Sequence, residues 1–241
     1  MQPFRSNAFT RWELVTILVI VAILCLLLVP DVQQAVNSGQ RERFRNQIRA
    51  IGVALHEYQT MHGCLPPAAL RDAKGDKPQH SWRALLLPHL EPSFKSTDHR
   101  YDYRFDEPWN SSHNQMIATE KPHFYRLIIT QDDKTPRTSQ LVAIIDNSTY
   151  WSPTEDCRSL MSHHEDEPRI ILMEISMLNG LWNEPKDITL DELEKMIAAD
   201  VFAIHGSHVL FDNGRRHWLS PEEVNVPNMR KLLRVKTNGS R

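Results

Sequence analysis

Glycine is scarce in this chain, with 8 in 241 residues, about half the usual ~7% share. The eight are scattered, and no two stand at the spacing of a GxGxxG or GxxxxGK loop. A Rossmann turn and a nucleotide-binding P-loop are excluded on that count. Cysteine is nearly absent: three residues, at 25, 64 and 157, are too few for a disulfide scaffold and contain no CxxC zinc spacing. Charge of one sign is missing too. Lys+Arg is 28 against Asp+Glu 30, which leaves no basic footprint, so nucleic acid is not expected as a partner. Neither GxSxG nor HExxH occurs. The sequence therefore gives no positive sign of catalysis, and no enzyme activity, cofactor or metal is expected. His163-His164-Glu165-Asp166-Glu167 collects metal-ligand types, but consecutive residues point in different directions, which reads as a solvated acidic loop before a metal site.

What the chain does have is one long apolar run. Mean hydropathy is −0.45, yet Leu14 to Val29 (LVTILVIVAILCLLLV) carries no charge. Sixteen residues at ~1.5 Å each reach roughly 24 Å, and Phe9 and Trp12 add about a turn toward the ~30 Å of a hydrocarbon core. Three readings compete. A buried core helix needs apolar surroundings on every side. A cleaved secretory signal suits Arg5 and Arg11, but Val29-Pro30-Asp31 offers no small-x-small exit. An uncleaved membrane anchor fits the length and the flanks best. Arg5 and Arg11 before the run and Asp31 after it favour a short cytoplasmic tail, whereas Arg41, Arg43, Arg45 and Arg49 pull the other way. The expected place is the inner (cytoplasmic) membrane, single-pass, with the head outside the cytoplasm.

Beyond the run, Phe44, Ile48, Ile51, Leu55 and Tyr58 recur at helical spacing, so one apolar stripe continues along a polar helix. It reads as a core-packing stripe or as a coiled-coil seam. Gly63 sits where a helix cap belongs, and Pro66-Pro67 cannot continue the helix. One helix of about 50 residues, from near Phe9 to near Met61, is predicted. Ser81–Leu90 reads as a short helix broken at Pro88. Leu190–Ala199 reads as another, started by Thr189 with Glu192 as capping-box partner. Phe124–Ile129, Leu141–Ile145 and Arg169–Ile175 have the composition of strands. Asn213-Gly214, between Val209–Asp212 and Arg215–Leu219, predicts a two-residue type I′ hairpin in which Asp212 opposes Arg215 and Val209 opposes Trp218. A helix first and strands afterwards implies an α+β fold.

Several blocks resemble a known family. Ala8-Phe9-Thr10-Arg11-Trp12-Glu13-Leu14 resembles the type IV prepilin signature. QIRAIGVALHEYQTMHGCLPPA (47–68), SWRALLLPHLEP (81–92), FDEPWNSSHN (105–114), LMEISMLNGLWNEPKDITLDEL (172–193) and HGSHVLFDNGRRHWL (205–219) are similar to the DUF1559 family of pilin-like proteins of planctomycete-type bacteria. The family pattern puts Gly before the cut, where this chain has Ala8, and an apolar residue where it has Arg11. The family closes on His, nine residues and Asp-Gly; here His205 is followed by seven residues and Asn213-Gly214.

The resemblance implies a type IV pilin-like α+β fold: a leader over 1–8, a transmembrane segment over 9–30, its amphipathic continuation over 31–63 and a globular head over 64–241. It implies processing between Ala8 and Phe9, and partners that include the inner membrane, a prepilin peptidase and other pilin-like subunits of a type II secretion or type IV pilus-like system. Glu13 then either meets the free amine of a neighbouring subunit or snorkels to the interface. A head outside the cytoplasm leaves Cys64 and Cys157 free to pair. His205 reads as structural or surface, and His208 beside it likewise. Trp109 reads as a loop packing residue. The second function class is an anchored ectodomain binding an extracytoplasmic solute or glycan, for which Trp82, Trp109 and Trp182 would be the lining.

Overall fold

The computed structural model describes residues 11–72, 74–75, 77–90, 102–119, 127–129, 137–154, 158–160, 168–176, 181–203 and 206–235; of residues 11, 22–44, 119, 127–129, 137–140 and 176 it describes the backbone only. The chain divides into two compact units, Met1–Arg43 and Phe44–Arg241. Helix α1 (Arg11–His62, 52 residues) runs through Pro30 without ending, as apolar helices tolerate proline. It stops as its sequence indicates: Gly63 adopts φ +80 and its N–H donates to the Gln59 carbonyl at 2.7 Å, a left-handed cap that glycine adopts freely.

After α1 come strands β1 (Ala69–Arg71) and β2 (Pro78–Ser81), helices α2 (Trp82–Leu85), α3 (Leu87–Leu90) and α4 (Ser112–Thr119), and strands β3 (Leu127–Ile129), β4 (Arg137–Val142), β5 (Ile144–Ile145), β6 (Ile170–Ser176) and β7 (Ile188–Thr189). Helix α5 (Leu190–Ala198), strands β8 (Ser207–Phe211) and β9 (Arg216–Leu219) and helix α6 (Val226–Leu233) complete the head. Among the described residues the main sheet has the order β3-β4-β6-β8-β9, and every neighbouring pair in it is antiparallel. The fold is α+β.

The sheet is covered on both faces. Ile48, Ile51, Ala54 and Leu55 of α1 share one buried cluster with Leu141, Leu172 and Leu210 of the sheet. A Cβ added at Gly52 would meet Leu210 at 3.4 Å, so α1 lies directly on β8. The stripe is a core stripe; the side chain of its first member, Phe44, lies outside the described residues. Val142, Ile170, Met173, Ile175, Val209 and Phe211 point the other way, into a second cluster with Leu193 of α5 and Met229 and Leu233 of α6. The two-residue period of β8 divides Leu210 from Val209 and Phe211. In β6, a bulge between Ile170 and Leu172 lets consecutive Ile171 and Leu172 both join the α1 side, since the extra residue of a bulge interrupts the alternation. Fully burying each of these side chains contributes roughly 1.5–3 kcal/mol before chain entropy is subtracted.

Two expectations change in detail, and a third is described only in part. The helix over Ser81–Leu90 breaks at Leu86, not at Pro88, and Pro88 sits in the first turn of α3, where a missing N–H costs nothing. The strand expected over Leu141–Ile145 splits at Ala143, whose N–H donates to Asp187 Oδ1 at 2.8 Å instead of to the ladder. The chain then leaves the main sheet, and β5 pairs in parallel with β7. The strand expected from Phe124 is described only over Leu127–Ile129; residues 124–126 lie outside the described residues. The capping box of α5 is present as expected: the Glu192 N–H donates to Thr189 Oγ1 at 3.2 Å and the Thr189 N–H to Glu192 Oε2 at 2.8 Å. The Thr189 N–H and the Thr189 hydroxyl, both donating to Glu192 Oε2 at 2.8 Å, hold the Glu192 carboxyl below its ordinary pKa.

Candidate functional site

The amino-terminal part of α1 is apolar and uncovered. All ten side chains from Trp12 to Val21 are exposed, Trp12 at 81% and Leu14 to Val21 at 49–59% for the large apolar ones. They point to every side of the helix. Glu13 is the acidic residue of the first turn, where the helix dipole favours a carboxylate, and Thr16 Oγ1 donates to the Glu13 carbonyl at 2.8 Å. Among the described residues no helix is long and apolar enough to cross a membrane. The side chains of the run beyond Val21, and Ala8 and Phe9, lie outside the described residues.

The head places its sequence blocks in three buried polar networks. In the first, Ser81 caps α2 by accepting from the Ala84 N–H, which aims Arg83 inward. Arg83 Nη2 meets Asp187 Oδ1 at 2.8 Å, with the two side chains 4% and 1% exposed. Trp82 Nε1 donates to Asp187 at 3.1 Å, Arg83 Nη2 also donates to the Leu141 carbonyl at 2.7 Å, and the guanidinium lies 4.5 Å from the Trp82 ring centroid. One carboxylate thereby ties α2 to β4, β5 and the approach to β7.

The second network organises Asp102–Asn110. Asn114 at the start of α4 accepts from the Arg104 N–H at 2.9 Å and donates to the carbonyls of Arg104, Glu107 and Pro108. Asn183 Nδ2 donates to the carbonyls of Trp109 and Asn114 at 2.9 and 3.2 Å. On the β2 side, His80 sits with Nδ1 2.9 Å from Tyr103 Oη and Nε2 3.1 Å from the Phe105 carbonyl. A carbonyl only accepts, so Nε2 carries the proton and the Tyr103 hydroxyl donates to Nδ1. Burial lowers the His80 pKa, partly opposed by the Phe105 carbonyl, and burial raises that of Tyr103.

The third surrounds the closing hairpin. The expected two-residue turn is replaced by a three-residue one. Val209 pairs with His217 and His208 with Trp218, one position off the expected register. The Gly214 N–H donates to the Phe211 carbonyl at 2.9 Å and the Phe211 N–H to that of Arg215 at 2.8 Å. Gly214 has φ +76 while Asn213 stays at negative φ, the pattern of a type I turn closed by a glycine bulge. Asp212 explains the choice. Its carboxylate accepts from the Tyr150 hydroxyl at 2.7 Å and the Arg169 N–H at 3.1 Å, which draws it out of the ladder and into the turn. Asn213 Oδ1 accepts from the Arg215 N–H at 3.0 Å. At the other end, Gly206 has φ +60, and a Cβ there would stand 2.1 Å from the Leu219 carbonyl oxygen. Between these points His208 Nδ1 lies 2.7 Å from Glu174 Oε2, whose side chain is 4% exposed.

His205, Cys157 and the His163–Glu167 stretch lie outside the described residues. Cys64 is disulfide-bonded, and its chain neighbours pack on the segment after Cys157: the Leu65 N–H donates to the Arg158 carbonyl at 2.7 Å and Ser159 Oγ to the Gly63 carbonyl at 2.8 Å. Among the described residues no group of three His, Cys, Asp or Glu is placed to hold a metal. Trp82 and Trp182 are buried, and Trp109 is half-buried with its N–H donating to the Gln79 carbonyl. Sequence reasoning missed Asp187, Asn114 and Glu174. Only Asp187 had a visible signal, Arg83 inside the largely apolar SWRALLL stretch, a charge that must find a buried partner.

The class is thus an α+β head whose antiparallel sheet is packed against the distal half of a long amino-terminal helix. The chain belongs to the DUF1559 family: residues 41–168 match the family described as "Protein of unknown function (DUF1559)". No curated protein and no solved structure matches it.

Proposed function

We propose that the chain is a membrane-anchored, pseudopilin-like assembly subunit, structural rather than enzymatic, held single-pass in the inner membrane with its head outside the cytoplasm. The observation that supports this best is the exposure of every described side chain from Trp12 to Val21. A helix apolar on all sides needs apolar surroundings, and the uncharged sequence continues to Val29. Glu13 supplies the assembly contact. Cleavage between Ala8 and Phe9 creates an ammonium four residues before Glu13. A carboxylate within the bilayer costs up to about 2.5–3.5 kcal/mol at its centre on insertion scales, less near the interface, and a neighbouring subunit's ammonium offsets that by charge pairing. The setting is a type II secretion or type IV pilus-like system, with a prepilin peptidase and other pilin-like subunits as partners.

The test compares wild type with Glu13→Leu by crosslinking in membranes, together with amino-terminal sequencing. The expected result is a mature terminus at Phe9, retained membrane insertion and weaker subunit crosslinks in the variant. Unchanged crosslinking with an intact Met1 terminus refutes the pilin-type role and leaves a plain signal anchor.

A further inference from the structure

We infer that His80 is an acid-sensitive latch that seats the loop Asp102–Asn110 on strand β2, a device independent of membrane anchorage. Three contacts define the seat. His80 bridges the Tyr103 hydroxyl and the Phe105 carbonyl through its two ring nitrogens. The rings of Tyr103 and Phe105 meet the imidazole edge-on at centroid distances of 5.6 and 5.5 Å. The Trp109 N–H donates to the Gln79 carbonyl at 2.8 Å. Only the first of these depends on the charge of a side chain.

Both ring nitrogens are committed to neutral partners in the neutral tautomer. A proton on Nδ1 would set two donors against each other, the imidazolium N–H and the Tyr103 O–H. It would also place a cation in a residue that is 4% exposed. Burying a charge without a charged partner is strongly unfavourable. Among the described residues no charged group acts on His80 as a partner. On the β1–β2 hairpin Arg71, Lys74 and Lys77 are cations, and the Asp72 carboxylate lies in the turn, where it accepts from the Lys77 N–H at 3.3 Å. On the loop, Glu107 Oε1 is held by Arg104 at 2.7 Å, Asp102 faces His113 of α4 at 4.0 Å, and Asp102, Arg104 and Asp106 are exposed. Glu184 stands two residues from Trp182, and the Tyr103 hydroxyl is already the partner of Nδ1. Burial and the Phe105 carbonyl are the influences on His80 itself.

The sign follows. The seated imidazole holds its proton less readily than a free one of ordinary pKa ~6.5, so the unseated state binds more protons as the pH falls through and below that value, and seating weakens. Release of the loop breaks the Asn183–Trp109 bond and parts the Tyr103 and Trp182 rings, now 5.9 Å between centroids.

The experiment is hydrogen–deuterium exchange of the full chain in detergent at pH 7.5 and pH 5.0, corrected for intrinsic exchange, with peptides from Asp102–Asn110 and from α5 as internal reference. The expected result is a loss of protection of about tenfold in the loop at pH 5.0, with α5 unchanged. His80→Gln offers an amide donor and acceptor without a titrating proton, and should abolish the pH dependence while keeping the loop protected. Equal loss in α5, no loss in the wild-type loop, or a loss that persists in His80→Gln overturns the inference; the wild-type comparison alone decides if the variant does not fold.

Discussion

Asp187→Ala is the sharpest test of how the head is held together. The carboxylate accepts from Arg83 at 2.8 and 3.3 Å, from Trp82 Nε1 at 3.1 and 3.2 Å and from the Ala143 N–H at 2.8 Å. Alanine removes all of these and strands the guanidinium at a site where its side chain is 4% exposed. Removing one partner of a buried ion pair costs about 3–5 kcal/mol, because the remaining charge keeps its desolvation penalty. The Leu141 carbonyl still accepts from Arg83, which softens the loss and points to the lower half of that range. For a domain of roughly 200 residues each kcal/mol lowers Tm by about 2–4 °C, so the expected fall is roughly 6–16 °C, read by circular dichroism on the full chain in detergent. Two further variants separate charge from packing. Asp187→Asn keeps the shape and can still accept from Trp82 and Ala143, so it should lose less. Arg83→Met with Asp187→Leu removes both charges and should be milder than Asp187→Ala alone, since apolar replacement of a buried pair is often neutral. A Tm for Asp187→Ala within about 2 °C of wild type would refute the reasoning.

Gly206→Ala should cost more than about 3 kcal/mol or prevent folding, because its Cβ would stand 2.1 Å from the Leu219 carbonyl oxygen in addition to the strain of a positive φ. Gly214→Ala, with φ +76 but nothing within 4 Å, should cost only about 1–2 kcal/mol; equal melting points for the two would sink the steric argument. Peptide mapping by mass spectrometry without reductant should join Cys64 to Cys157, and two free thiols at these positions would reject the pairing. Closing a loop of roughly 90 residues makes that bond worth up to about 4–5 kcal/mol in a chain-entropy account.

Much of the architecture is legible before any coordinates. The stripe Ile48, Ile51, Leu55 recurs with helical period and must be covered by a sheet or a partner helix, so its burial is legible in the spacing, whereas β8 as its cover is not. The Thr189–Glu192 box is equally local, since a capping box is completed within four residues. The hairpin shows where locality ends. Asn-Gly favours a two-residue turn, and the dipeptide carries no information that Tyr150 and Arg169, 62 and 43 residues away, hold the Asp212 carboxylate. Those two bonds shift the register by one. The split of the strand at Ala143 has the same origin, because Asp187 captures its N–H from 44 residues away. Sequence period reports what a segment prefers, and a buried carboxylate decides between preferences that differ by a kcal/mol or two.

The same distinction bears on where activity resides. The blocks through which this chain resembles its family are largely the ones that close the buried networks: SWRA with Asp187, EPWN and Asn114 with Asn183, GSH with Glu174, and Asp212 with Tyr150. A residue whose polar atoms are consumed by its own fold is poorly placed to touch a ligand, and each of these is explained by the loop or strand it fixes. The parts that the fold does not explain are then the first to test for function. The apolar side chains from Trp12 to Val21 are the clearest of them, because no packing within their own unit covers them and exposure of that extent in water would be strongly unfavourable. Under the proposed function, a membrane is what covers that stretch, since the recognisable motifs are already explained by the head they hold together. On that proposal Glu13, the one carboxylate among the exposed residues Trp12 to Val21, is the position at which substitution should separate assembly from folding.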